Sequence, residues 1–308
     1  MKHYEHIMYK LLFPVLLFFS IHWELKAQES SSPVDYVMTH DHIQLYTKKV
    51  GKGPVAIFIH GGPGAWSKSF EELGGRNLES QLTMIYYDQR GCGRSGGSIN
   101  DDYSLESMIN DIELIRQNYQ ADKVYLMAHS FGGILAVNYA LKYPEHIKGL
   151  ILVNSTLHLF YSIENQIDYM NSLLKTAYKA NDVSQIIPTF KQVQAEFVET
   201  GSIYKLLSDH KNNVDILNQV DSENPSGFAF AQQALYIEDY QKDYTRMTTK
   251  ITAPVLVISG KKDHAIGEAH FKSFDFPNQN IKEIDGGHIL YYENNKAFLQ
   301  AVADYIEK

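Results

Sequence analysis

Cysteine is almost missing from this sequence: Cys92 is the only one among 308 residues. An intramolecular disulfide is therefore excluded, even in an oxidising compartment, and the fold must rest on packing. A surplus of positive charge is missing too. Lys and Arg number 28 against 36 Asp and Glu, a formal net charge of −8. With no basic stripe, nucleic acid is not an expected partner. No apolar run approaches the ~20 residues that a spanning helix needs. Neither an internal repeat nor a low-complexity tract is present, which sets aside repeat architectures. What remains is a chain with 44% hydrophobic residues, well above the disordered range. Its length suits one large α/β domain with an insertion, or two small domains.

The N-terminus has the order of a secretory leader. Lys2 and Lys10 precede a short apolar run over residues 11–21, and Leu25-Lys26-Ala27 offers a small residue before Gln28. A basic start, a greasy core and a small residue predict export with cleavage after Ala27, so residues 1–27 are read as a signal peptide. A retained anchor is the alternative, which the shortness of the run disfavours. The mature protein is expected to be exported, periplasmic or secreted, with no stable membrane insertion.

After a Ser30-Ser31-Ser32-Pro33 stretch, residues 36–40 and 43–49 read as a hairpin turning at Asp41-His42. Short apolar runs then alternate with helical patterns. Residues 55–59, 84–87, 124–128, 150–153, 254–259 and 281–284 read as strands. Leu105, Met108, Ile112 and Ile115 fall at helical spacing, residues 134–141 read as a helix, and residues 297–306 close the chain as another. Strands apolar on both faces, alternating with helices, predict a mostly parallel sheet covered on both sides. The rhythm stops over residues 156–250. There Ile163, Ile167, Met170 and Leu174 share one helical face, Phe190, Val193 and Phe197 a second, and Phe230, Ala234 and Ile237 a third. Residues 34–155 and 251–308 are thus expected to form the core, and residues 156–250 an inserted helical cap.

The segment Ala128-His129-Ser130-Phe131-Gly132-Gly133 carries the chemistry. A buried strand runs into a serine with small residues two positions to either side, then into a helix. That is the pattern of a nucleophile elbow, in which a sharp turn exposes the serine hydroxyl and flanking bulk would collide. Alanine stands at position 128 where glycine is usual. An elbow serine needs a base and an orienting acid, in the chain order serine, acid, histidine. Asp263 follows the strand at 254–259, and His288 follows the strand at 281–284 through Gly286-Gly287. Both loops open at the carboxyl end of the sheet, where Ser130 also sits. Asp285 is the rival acid, but stands too close in sequence to His288 to reach behind its ring. An oxyanion hole needs two N–H donors. Gly61, in the loop His60-Gly61-Gly62-Pro63-Gly64, is assigned as one and Phe131 as the other, with Gly62 as the alternate to Gly61. The fold class that follows is the α/β-hydrolase fold, a mostly parallel sheet flanked by helices and interrupted by a cap.

His60-Gly61-Gly62-Pro63-Gly64, the loop Asp88-Gln89-Arg90-Gly91-Cys92-Gly93-Arg94-Ser95, and the ordered Ser130, Asp263 and His288 elements together resemble the proline iminopeptidase (prolyl aminopeptidase) family of α/β hydrolases. The resemblance covers the parts before residue 155 and after residue 250. It implies a serine hydrolase that releases an N-terminal residue, proline or a small or apolar one, from short peptides. It also implies acidic cap residues that hold the free amine. Glu164, Asp168, Glu196, Glu238 and Asp239 are available, and Glu238 is the expected substrate contact. The loop at residues 88–95 is read as a brace, and Cys92 as a packed residue, since no base pairs with it in the sequence.

The expected reaction is acyl transfer through an acyl-enzyme, requiring no metal and no cofactor. A small molecule or short peptide is the expected partner. An esterase, lactonase or amidase on small acyl substrates is the alternative, and a non-catalytic binding protein on the same fold is a third reading. A histidine base must be neutral to accept a proton, so turnover should fall in acid.

Overall fold

Eight strands make one sheet in the order β1-β2-β4-β3-β5-β6-β7-β8. They are β1 (Val34–Met38), β2 (Gln44–Gly51), β3 (Val55–Ile59), β4 (Thr83–Tyr87), β5 (Val124–His129), β6 (Ile147–Val153), β7 (Val255–Gly260) and β8 (Gln279–Ile284). The computed structural model describes residues 34–226 and 229–307. The expected leader and the Ser30–Pro33 stretch lie outside the described residues. β1 and β2 pair antiparallel, as do β2 and β4, and every pairing from β4 through β8 is parallel. The first two strands form the expected hairpin. Its tight turn is closed by the Thr39 N–H donating to the Ile43 carbonyl, with His42 at φ 67°.

The central strands are apolar along their length because both faces are covered. Alternate residues of one strand enter different cores. Ile57, Leu126, Leu150 and Val257 pack with Ile112 and Ile115 of α2 (Leu105–Asn118) and with Ile134 and Val137 of α3 (Gly132–Lys142). Phe58, Met127, Ile151 and Ile258 face the other way. They pack with Phe70 and with Phe298 and Val302 near the C-terminus. Phe70 lies on α1 (Ser67–Glu72), a short helix with no clear sequence signal. The chain ends in α9 (Leu290–Glu293) and α10 (Asn295–Ile306). At the sheet edge, β8 alternates between exposed and partly covered residues, since a helix layer covers one face only.

Between β6 and β7 the described residues form no strand; they hold α4 (Leu159–Leu174), α5 (Val183–Glu199), α6 (Lys211–Asp221), α7 (Ala229–Ala234) and α8 (Glu238–Gln241), along with short 3-10 turns. Ile163, Ile167 and Met170 of α4 are buried, as are Val193 and Phe197 of α5, and these two helices pack on each other. The third predicted face is shorter than expected. Phe230 and Ala234 are buried, but α7 stops at Ala234 and Ile237 lies in the turn before α8. α6 carries no clear sequence signal, because only Val214 and Leu217 on it are buried. Among the described residues no helix is long and apolar enough to cross a membrane.

Candidate active site

β5 ends at His129 and α3 begins at Gly132, leaving two residues for a reversal of direction. Ser130 takes φ 55°, a left-handed conformation that side chains with a Cβ rarely adopt. The surroundings hold it there. Its N–H donates to the Val153 carbonyl at 3.2 Å, and its own carbonyl accepts from Thr156 at 3.0 Å and from Gly133 at 3.1 Å. Glycine is required at position 132, where a Cβ would lie 2.5 Å from the Ile59 carbonyl oxygen. At Gly61 a Cβ would stand 2.7 Å from the Ser130 Cβ, so the loop after β3 touches the serine directly.

Asp263 and His288 leave the same rim, just past β7 and β8. Asp263 is 1% exposed. Its Oδ1 accepts from the N–H groups of Ala265 and Ile266, each at 3.0 Å, which aims the carboxylate. The His288 Nδ1 lies 3.1 Å from both Asp263 oxygens. A carboxylate favours the tautomer with hydrogen on Nδ1, leaving Nε2 with its lone pair free for a proton. Asp285 is exposed, and its carbonyl accepts from Asn294 instead. Ser130, His288, Gly61 and Phe131 all line one cavity. Neither the Gly61 nor the Phe131 N–H has an acceptor among the described residues, and Phe131 stands at the N-terminus of α3, where the helix dipole favours negative charge.

Two residues with no part in the sequence reading hold this rim together. Asn154, just past β6 and at φ 43°, donates to the carbonyls of Gly287 and His288 at 2.8 and 2.9 Å. Its Oδ1 accepts from the Gly260 N–H at 2.6 Å, so one side chain ties the roots of the Asp263 and His288 loops. His129 is the other. Its Nε2 lies 3.0 Å from the His288 carbonyl, which can only accept, so Nε2 carries the hydrogen. The two imidazoles lie 4.6 Å apart. Burial, helped by the nearby His288, pushes the His129 pKa down to about 3 and keeps it neutral. The available signal for both was position: polar residues at the carboxyl ends of buried strands.

The glycine loop is braced from the next strand. The buried His60 donates from Nδ1 to the Gly61 carbonyl at 2.8 Å and accepts at Nε2 from the Gln89 N–H at 2.9 Å. Asp88 receives Ser67 and Arg94, and Arg90 makes a two-pronged pair with Asp111 at 2.7 Å for each bond. Burial alone would raise the Asp88 pKa, but Arg94 holds it below the ordinary value. These arginines face carboxylates of the scaffold. Cys92 is buried, and its burial pushes the thiol pKa up, away from the reactive thiolate.

The cavity measures about 400 Å³ and its walls are mostly apolar, including Phe58, Trp66, Leu159, Leu206, Leu217 and Ile266. None of the five acids named from the sequence lines it. Glu238 is exposed on α8, Asp239 pairs with Lys242 at 2.6 Å, Glu164 and Asp168 line a separate groove beside α4, and Glu196 binds the Tyr178 hydroxyl. Glu238 is therefore replaced as the candidate substrate contact. Among the described residues, the single carboxylate in the lining is Asp221, at the end of α6. One of its oxygens accepts from the Trp66 Nε1 at 2.9 Å and from the Ser69 hydroxyl. No cluster of metal-ligating side chains occurs among the described residues.

A model of the alpha/beta hydrolase fold family matches residues 54–295. Among curated relatives, the proline iminopeptidase of Saccharolobus solfataricus is 25% identical over 288 residues, covering 87% of this chain and 89% of that protein. The proline iminopeptidase of Lactobacillus delbrueckii subsp. bulgaricus is 26% identical over 294 residues, covering 85% and 94%. A proline iminopeptidase-related protein of Thermus thermophilus superposes with a TM-score of 0.73 at 21% identity, covering 89% of this chain and 97% of its own. An esterase of Exiguobacterium antarcticum superposes with a TM-score of 0.66 at 19% identity, covering 89% and 99%. At these identities the superpositions speak for the fold, and the family match over most of the chain establishes that it belongs to the α/β-hydrolase fold family.

Proposed function

We propose that the protein is a serine hydrolase working through an acyl-enzyme. The observation that carries the reading is the Asp263–His288 pair opening onto the same cavity as a serine held at positive φ. His288 takes the Ser130 proton as the hydroxyl oxygen attacks the substrate carbonyl. Asp263 stays ionised and keeps the imidazole in the useful tautomer. The Gly61 and Phe131 N–H groups receive the oxyanion. His288 then gives its proton to the leaving group, and water releases the acyl group by the reverse route.

For substrate, we propose short peptides with a free N-terminus, cleaved after a proline or a small apolar residue. Kinship with proline iminopeptidases supports this, and so does Asp221, the lone acid in an apolar cavity, which could hold an ammonium. The apolar walls equally suit an uncharged acyl group, which supports an esterase as the second reading. The proposed export rests on the basic and apolar start of the chain, and the mass of the secreted protein would test it.

A fluorophosphonate probe and a substrate panel separate these readings. Labelling that disappears in Ser130→Ala is expected, and a wild-type protein that never labels would overturn the serine mechanism. Aminoacyl amides with free and blocked amines should be compared with short acyl esters. Turnover that vanishes on blocking the amine supports the peptidase, whereas turnover of esters alone supports the alternative.

A further inference from the structure

We infer that Glu293 is a positioning residue that makes the orientation of His288 depend on the helical insert, an inference resting on His288 as the base. Glu293 ends α9, one turn after the histidine. One carboxylate oxygen accepts the N–H of Gly287, the residue before His288. The other accepts the hydroxyl of Ser208, from the insert, and lies 3.4 Å from the Asn213 amide nitrogen on α6. Ser208 is buried. The next backbone group is also held by the insert: the His288 N–H donates to the Leu207 carbonyl at 2.8 Å. Gly287 is pressed so closely that a Cβ would lie 2.5 Å from that same Leu207 oxygen.

Consecutive N–H groups of the base loop thus end on the insert, one directly and one through Glu293. Leu206 and Leu207 also wall the cavity that holds Ser130. A shift of the insert over the substrate is therefore passed to the imidazole through two backbone bonds. A further polar tie nearby is an ion pair of Lys262 with Asp209 at 3.0 Å. Its side chains are 50% and 43% exposed, and pairs of that kind contribute little. Glu293 is only partly exposed and accepts from two segments at once, which ties the loop to the insert more firmly than that exposed pair.

The test uses the full chain and a fluorophosphonate probe, read as the maximal labelling rate (kinact) and the half-saturating concentration (KI). This readout depends on the base and not on any particular substrate. Glu293→Ala is expected to lower kinact about 10- to 100-fold, as small misplacements of a catalytic group do, with KI changed less than about threefold. Glu293→Gln keeps an acceptor for Gly287 and is expected to recover most of that loss. Ser208→Ala removes only the end on the insert and is expected to lower kinact about three- to tenfold. Wild-type kinact in folded Glu293→Ala would overturn the inference. So would a Glu293→Gln variant as impaired as Glu293→Ala, or a Ser208→Ala variant at the wild-type rate, which remains decisive should Glu293→Ala not fold. A wild-type protein that fails to label would instead overturn the serine reading itself.

Discussion

The rim of the sheet and the helical insert between β6 and β7 contribute to one cavity in different ways. At the rim, several polar side chains are held by bonds to backbone. Asp263 is held by two N–H groups, Asn154 by three loop contacts, and His129 by the His288 carbonyl. The insert presents mainly apolar walls and one acid, Asp221. Geometry that must hold to within a fraction of an ångström is built on strands whose neighbours are fixed by backbone pairing. Selection of a substrate needs only shape and a single charge, which helices packed by side chains can supply.

That division is open to attack from several sides. The largest expected effect is at the rim: Ser130→Ala should lower kcat about 10⁴- to 10⁶-fold, and Asp263→Asn about 10⁴-fold, with little change in the thermal midpoint. Gly61→Ala should lower kcat about 10²- to 10³-fold, because a Cβ placed 2.7 Å from that of Ser130 moves a proposed oxyanion donor. Comparable loss from an insert mutation that leaves the base loop untouched would break the comparison. Stability should divide the same way. Leu126→Ala, inside the sheet core, should cost about 2–5 kcal/mol in a urea titration. Leu217→Ala, on the wall of the cavity, should cost about 1–2 kcal/mol and act mainly on KM.

A finer effect is expected from Asp221, the one acid among the described residues that the insert turns towards the cavity. Asp221→Asn keeps an acceptor for Trp66 but loses the charge, and should raise KM for free-amine substrates about 10- to 100-fold while esters are unaffected. An equal change for both substrate types would deny Asp221 that role. The smallest effect is in pH. Burial pushes His129 down to about 3 and His270, helped by the nearby His158, down to about 4. An unfolded histidine titrates near ~6.5, so in acid the unfolded chain takes up protons that the folded chain refuses. Their stabilising contribution is therefore complete above that value and is lost as pH falls towards 4 and then 3. His270→Gln should flatten the fall in unfolding free energy between about pH 6.5 and 4. An unchanged slope would mean that His270 is not a source of that fall.

Much of the sheet was legible, and for a definite reason. A strand buried on both faces must be apolar throughout, so the runs in β3, β5 and β7 stand out without an alignment. The residues placed just past those strands could be read along with them, since topology alone sends such loops to one rim. The long amphipathic helices α4 and α5 were readable from their spacing, whereas α6 buries too little to register. Glu238 illustrates the limit. Its sequence neighbourhood is as suggestive as that of Asp221, but only one of the two faces the cavity.

Local pattern by itself determined the parallel sheet, the left-handed turn at Ser130, and the order in which Asp263 and His288 follow it. Each depends on residues near one another in the chain, through strand burial, glycine spacing and loop position. Only tertiary structure decided that Asp221 enters the cavity, held by Trp66 and Ser69 from 155 and 152 residues away, or that Asn154, His129 and Glu293 grip the loop carrying His288. Those contacts join segments that no periodicity relates. They exist because packing of the insert onto the sheet brings distant polar groups within hydrogen-bonding distance, and burial then obliges them to pair.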